Sequence, residues 1–128
     1  MRLSCLPIAL ALLATGCATA PQASVEDRTL AFGCADSVVV GTVENGAYQP
    51  VDDQSDLMGH GWISATLYVR TVVRGPSVSP TLPVRYFAHT YMREGREFML
   101  VLKRRDAEYE IATGQLMSLR PRLAARCG

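Results

Sequence analysis

Four cysteines bound what this 128-residue chain can fold into. Cys5 and Cys17 fall in an N-terminal stretch that reads as a processed leader, which leaves Cys34 and Cys127 near the two ends of what remains. An even pair in an exported protein points to a disulfide. Closing a loop of about 100 residues contributes about 4.7 kcal/mol in the chain-entropy picture. The fold must therefore bring the C-terminal tail back to the start of its first strand. The alternative, two independent thiols, suits an oxidising compartment poorly.

Residues 1–20 read M-R-L-S-C-L-P-I-A-L-A-L-L-A-T-G-C-A-T-A. A single Arg2 precedes an apolar run and then small residues, which is the order of a secretory signal and too short for a membrane span. Two cleavage sites are present. Ala14-Thr15-Gly16-Cys17 resembles the bacterial lipobox, with Ala14 where Leu is usual, and makes Cys17 the expected lipidation site; Ala18-Thr19-Ala20 is an Ala-x-Ala alternative. The expected organisation is a signal peptide over 1–16, a lipidated cysteine and tether over 17–33, and a β-barrel domain over 34–128. In the lipoproteins that this stretch resembles, Ala18 rather than Asp after the cysteine implies the outer membrane, periplasmic face. Removal of Arg2 with the leader turns 13 basic against 12 acidic residues into 12 against 12. A neutral exported domain has no charge to draw it to nucleic acid, and the expected partners are the membrane, through the lipid anchor, and an envelope protein.

Downstream, periodicity predicts five strands. The run C-A-D-S-V-V-V-G-T-V at 34–43 is strand-like from Asp36, and Gly41 within it suggests a bulge. Residues 44–61, with Asn45-Gly46, Asp52, Asp53 and Asp56, read as a long polar loop. Residues 62–74 alternate cleanly, with Ile63, Ala65, Leu67, Val69, Thr71 and Val73 on one face. Residues 82–87 set Leu82, Val84 and Tyr86 against Pro83, Arg85 and Phe87, and Pro83 argues that this strand lies at an edge or begins there. Phe98–Leu102 is apolar without a break, as in a strand buried on both faces. Residues 109–112 read as a short fifth strand and 121–126 as a last helical turn. Residues 27–32 suit either a helical turn or an extended lead-in. The fold class is all-β: a small five-stranded closed OB-type barrel with short irregular or helical end segments, closure removing the exposed edges.

The run from Cys34 to Val43 resembles the opening of the netrin-like domains related to tissue inhibitors of metalloproteinases, where Ala-Asp-x-Val-hydrophobic-x-Gly-x-Val follows a cysteine. Val72-Val73-Arg74-Gly75 is similar to their Val-x-Lys-Gly strand end, and Gly95-Arg96-Glu97-Phe98-Met99-Leu100 to their Gly-x-x-Tyr-Leu strand. The resemblance covers most of 34–112 and implies an OB barrel. It does not imply their inhibitory chemistry. Those inhibitors set a free N-terminal cysteine on the protease zinc, whereas Cys34 is internal and an N-terminal Cys17 would carry an acylated amine. No Cys-x-Cys follows either cysteine.

No catalytic motif is present: the chain lacks Gly-x-Ser-x-Gly, His-Glu-x-x-His, a phosphate loop and Cys-x-x-Cys. Asp52-x-x-x-Asp56 is not a calcium loop, since Leu57 and Ile63 stand where Gly and Glu are needed. His60 and His89 lack the further spaced ligands of a zinc motif. The chain is expected to be no enzyme, to carry no cofactor and to hold no metal. Tyr48, Trp62, Tyr68, Arg70, Arg85, Tyr86 and Tyr91 are the candidate binding face. The expected function is an envelope-anchored binding module; the alternative is an inhibitor of a periplasmic or host hydrolase working through the 44–61 loop. Intact-mass measurement on membrane-extracted protein checks the anchor: acyl mass on a chain beginning at Cys17 is expected, and an unmodified chain beginning at Pro21 would exclude it.

Overall fold

A computed structural model describes residues 28–127. The leader, Cys17 and the tether at 21–26 lie outside the described residues. Seven strands follow one another: β1 (Thr29–Phe32), β2 (Ser37–Pro50), β3 (Gly61–Arg74), β4 (Thr81–Ala88), β5 (Phe98–Arg105), β6 (Glu108–Leu116) and β7 (Arg122–Ala125). A single 3-10 turn, Met117–Leu119, separates the last two. Five strands close into a barrel, as the strand patterns predict, and their order around it is β2-β3-β4-β6-β5. Three hairpin-connected strands and a fourth that returns beside the first make this a Greek key. All barrel pairs are antiparallel except β4 and β6, which meet in parallel over two residue pairs, Val84–Tyr109 and Arg85–Glu110. Pro83, which has no N–H to give, lies one residue before this short seam. Its strand is thus not an open edge but the most weakly bonded joint of the ring.

Two cores account for the valine run. Val39 and Val43 point into the barrel with Ile63, Leu67, Leu82, Val84, Tyr86, Leu100, Leu102 and Ile111. Val38 and Val40 point outward and are equally buried, with Leu30, Met99 and Val101. The cover is a second sheet, the β1–β7 parallel ribbon, which presents Leu30, Phe32 and Leu123 to the barrel wall. This is why β5 is apolar at every position from Phe98 to Leu102.

The Cys34–Cys127 disulfide is present, spanning 93 residues with Cα atoms 5.2 Å apart. It fastens the ribbon just past the C-terminal ends of both its strands. Two strands of four residues are ordered here, at a cost on the order of 1–2 kcal/mol for each residue. Burying Leu30, with parts of Phe32 and Leu123, recovers roughly 1.5–3 kcal/mol per side chain. The disulfide, worth up to about 4.7 kcal/mol over a loop of this size, acts in the same direction.

The turn carrying Cys34 is built by Asp36, which is buried. Its Oδ2 accepts the Gly33 N–H at 2.7 Å, and its own N–H donates to the Gly33 carbonyl at 3.2 Å. Ser37 Oγ donates to the Pro76 carbonyl at 2.7 Å. Gly75 has a φ of +79°, and a Cβ there would lie 2.0 Å from the Asp36 carbonyl oxygen. The Cys-Ala-Asp and Arg-Gly segments therefore meet at one corner of the fold.

Several expectations are corrected. The 44–61 loop is half strand: β2 runs on to Pro50, with an extra residue at 46–47, and only 51–60 is loop. Asn45-Gly46 makes no turn because Asn45 pairs with Ala65 and is held by the loop after β4. The alternation on β3 holds only as far as Val69. Arg70 bulges out between the Gly41–Val69 and Val40–Thr71 pairs, so Val72 rather than Thr71 turns to the barrel core. Gly41 permits this crossing, where a Cβ would lie 2.3 Å from the Tyr68 carbonyl oxygen. The fifth barrel strand extends to Leu116. The tail at 122–125 is a strand, not a helical turn, because pairing with β1 satisfies its backbone. Residues 29–32 are likewise extended and belong to the folded body.

Replacing both cysteines, Cys34→Ser with Cys127→Ser, is expected to cost about 2–5 kcal/mol in denaturant unfolding. Amide exchange should show Leu30 and Leu123 losing protection first while Leu100 keeps that of the barrel.

Candidate functional site

The loop at 51–60 is shaped by its own carboxylates. Asp53 accepts from the Ser55 N–H at 2.9 Å and from its hydroxyl at 2.6 Å. Asp56 accepts from the Met58 N–H at 3.0 Å and the His60 N–H at 2.8 Å, and its Oδ2 lies 2.9 Å from His60 Nδ1. Tyr48 reaches up from β2, its hydroxyl donating to the Gly59 carbonyl at 2.6 Å. The Ser55 bonds hold the Asp53 carboxyl below the usual range, and the His60 bond does the same for Asp56. This scaffold projects an apolar tip: Leu57 is 95% exposed and Met58 63%.

Below the loop, the outer face of β3 and β4 carries a cross-strand aromatic pair. Trp62 and Phe87 are register partners with ring centroids 5.2 Å apart. His60 also stacks on Phe87, nearly parallel, with ring centroids 5.6 Å apart. The Arg85 guanidinium lies 4.5 Å from the Trp62 ring centroid. Glu108 and Glu110 hold it from β6 at 3.6 and 3.7 Å. Its Nε is buried and makes no hydrogen bond among the described residues. A groove of about 320 Å³ runs here, lined by Gln49, Trp62, Ser64, Arg85, Glu108 and Tyr109 among others. The ion pairs are half-exposed and contribute at most about 1 kcal/mol each to stability. Their effect is to fix the guanidinium against the indole.

The seven residues of the expected face are not one face. Trp62 and Arg85 are together, with Tyr48 under the adjoining loop. Tyr68 and Arg70 are at the other end of β3, where the Tyr68 hydroxyl donates to Glu44 at 2.9 Å and Arg70 pairs with Glu97. The Glu44 bond raises the Tyr68 pKa. Tyr91 is exposed on the loop after β4. Tyr86 is a correction: at 3% exposure it lines the barrel interior. Two residues in sequence on a strand face opposite ways, so Tyr86 could not share a surface with Arg85. Its hydroxyl donates to Asn45 Oδ1 and accepts the Met92 N–H at 3.0 Å, pinning the 89–97 loop. Burial raises the Tyr86 pKa.

Phe87, Leu57 and Glu108 are site residues outside the expected binding face, and His60, considered in sequence only as a metal ligand, joins them here. Phe87 was readable, since strand alternation puts it beside Arg85. The others depend on which loop lands over which strand. No family model matches the chain, nor does any curated protein or solved structure.

The Asp56 carboxyl sits below its unfolded pKa, so its hold on the loop is full above the unfolded value and is lost as pH falls through the folded one. On acidification, the Met58 and His60 amides should lose exchange protection before those of the barrel do. In Asp56→Asn this acid-dependent step should disappear.

Proposed function

We propose that the protein is a non-catalytic binding module of the OB type, anchored in the bacterial envelope through Cys17, and that it engages a protein partner. The observation that carries this is Leu57 and Met58, exposed at the tip of a loop whose backbone is held by Asp53, Asp56 and Tyr48. Exposed large apolar side chains on a pre-shaped support bury surface on binding with little further loss of loop entropy. The groove beside Trp62 and Arg85 continues this surface, and Trp and Arg are the side chains that most often dominate binding energy.

The Greek-key strand order supports the OB reading. Counting β2 as the first barrel strand, OB domains bind on the second and third strands between the first loop and the last. Those are β3, β4, the 51–60 loop and the β5–β6 turn, where the groove lies. The netrin-like segments at the Cys34 corner agree with it. Neutral overall charge and an exported address argue against nucleic acid as the partner.

A hydrolase inhibitor is the second reading, and the same loop favours it: a rigid, apolar-tipped projection suits insertion into an active-site cleft. Cross-linking capture from the native envelope separates the two. The wild type should retain a specific protein, and Leu57→Ala with Met58→Ala should weaken retention at least tenfold, a loss of about 1.4 kcal/mol or more. Trp62→Ala should do the same. Retention unchanged in both variants would exclude this surface. Inhibition of a purified hydrolase by the wild type and not by the loop variant would select the second reading.

A further inference from the structure

Gly61 and Ala88 are the last paired residues at one end of the β3–β4 ladder. His60 and His89 are the next residues out, so the same antiparallel register sets the two imidazoles opposite one another. His60 Nε2 and His89 Nδ1 are 3.4 Å apart. That is long for a hydrogen bond between nitrogens. The rings also do not point nitrogen at nitrogen along one line: their centroids are 5.0 Å apart and the planes are nearly perpendicular. The excess of 5.0 over 3.4 Å is less than two ring radii.

Asp56 decides the state of His60. An ionised carboxylate can only accept, so Nδ1, at 2.9 Å from Asp56 Oδ2, carries the proton and Nε2 presents a lone pair toward His89. Two nitrogens bound to one tetrahedral zinc at 2.0–2.1 Å are about 3.3–3.4 Å apart by geometry. Carboxylate, histidine and open lone pair in sequence form the arrangement that orients metal-bound imidazoles.

We propose that His60 and His89 form a surface site for a borderline-soft divalent cation, with zinc the best match, and that Asp56 positions the His60 ring. Imidazole donors suit zinc, copper and nickel, and the spacing fits tetrahedral coordination. Among the described residues no three His, Cys, Asp or Glu side chains gather around one point, so the other positions fall to water or to a donor from outside. The other acids of the loop take no part, Asp53 being bonded to Ser55. A bound cation would join the 51–60 loop to the loop after β4, above the Trp62–Phe87 pair. The inference is independent of what the module binds.

The test is zinc titration of the untagged, full-length protein by calorimetry, with the imidazole signals followed by nuclear magnetic resonance. One zinc per chain is expected, with the His60 and His89 signals moving together. His89→Ala leaves the Asp56–His60 contact in place and should lower affinity at least tenfold, and Asp56→Asn about tenfold. The His60 signal of the free protein should report a proton on Nδ1, and in Asp56→Asn this preference should weaken. Zinc binding unchanged in His89→Ala would overturn the site. So would failure of both imidazoles to respond to a large excess of zinc, which would leave only a proton shared between the rings. Unchanged affinity in Asp56→Asn would remove Asp56 from it.

Discussion

The fold depends on burying both faces of β2 and β5. A barrel of only five strands has a small interior, and Val39, Leu100 and Leu102 help fill it, but Val38, Val40, Met99 and Val101 lie on the outside of the wall. Left in water, that outer stripe would be a continuous apolar patch. The β1–β7 ribbon covers it, and the ribbon is too short to hold itself in place. The disulfide lies where it can do that: beside the last ribbon pair, Phe32 with Ala125, at the turn that leads into β2. Tail, first strand and barrel wall are thus one mechanical unit. The Asp36 corner fixes the angle at which the chain passes from ribbon to barrel.

The other end of the barrel is organised differently. Hydrogen bonds to carboxylates, rather than apolar packing, give the 51–60 loop its shape. Such bonds are short and directional, and they hold a backbone without requiring its side chains to turn inward. Leu57 and Met58 can therefore stay exposed. The acidic character of this loop, which in sequence suggests a cation site or a solvated surface, is largely internal scaffolding. The Arg85 cluster shows a related economy: a guanidinium between an indole and two carboxylates is fixed in place at the wall of the groove.

Strand identity was legible wherever a strand has one wet face or two dry ones. The alternation at Ile63–Val69 and at Leu82–Phe87, and the unbroken Phe98–Leu102 run, each state their burial directly. Reading failed where tertiary contacts override local composition. The polar end of β2 looks like loop because its outward residues are solvated, yet it pairs with β3 through Pro50. The tail reads as a helical turn, yet four of its residues pair with β1. Neither partner strand can be inferred from the segment it pairs with.

The candidate site divides the same way. That Trp62 and Arg85 lie on one outer surface, and that Tyr86 cannot join them, follows from the period of a strand. The expected pairing of Cys34 with Cys127 follows from the count of cysteines left once the N-terminal stretch is read as a leader. What the sequence by itself determined is the all-β class, five closing strands and a covalent link from end to end, because side-chain period and cysteine chemistry are local properties. Only the tertiary structure decided that the 51–60 loop stands over the β3–β4 face and that His60 meets His89. It also decided that Arg85 is held from β6. These are matters of register and barrel closure, set by bulges at Arg70 and at 46–47 whose positions leave no periodic trace in the chain.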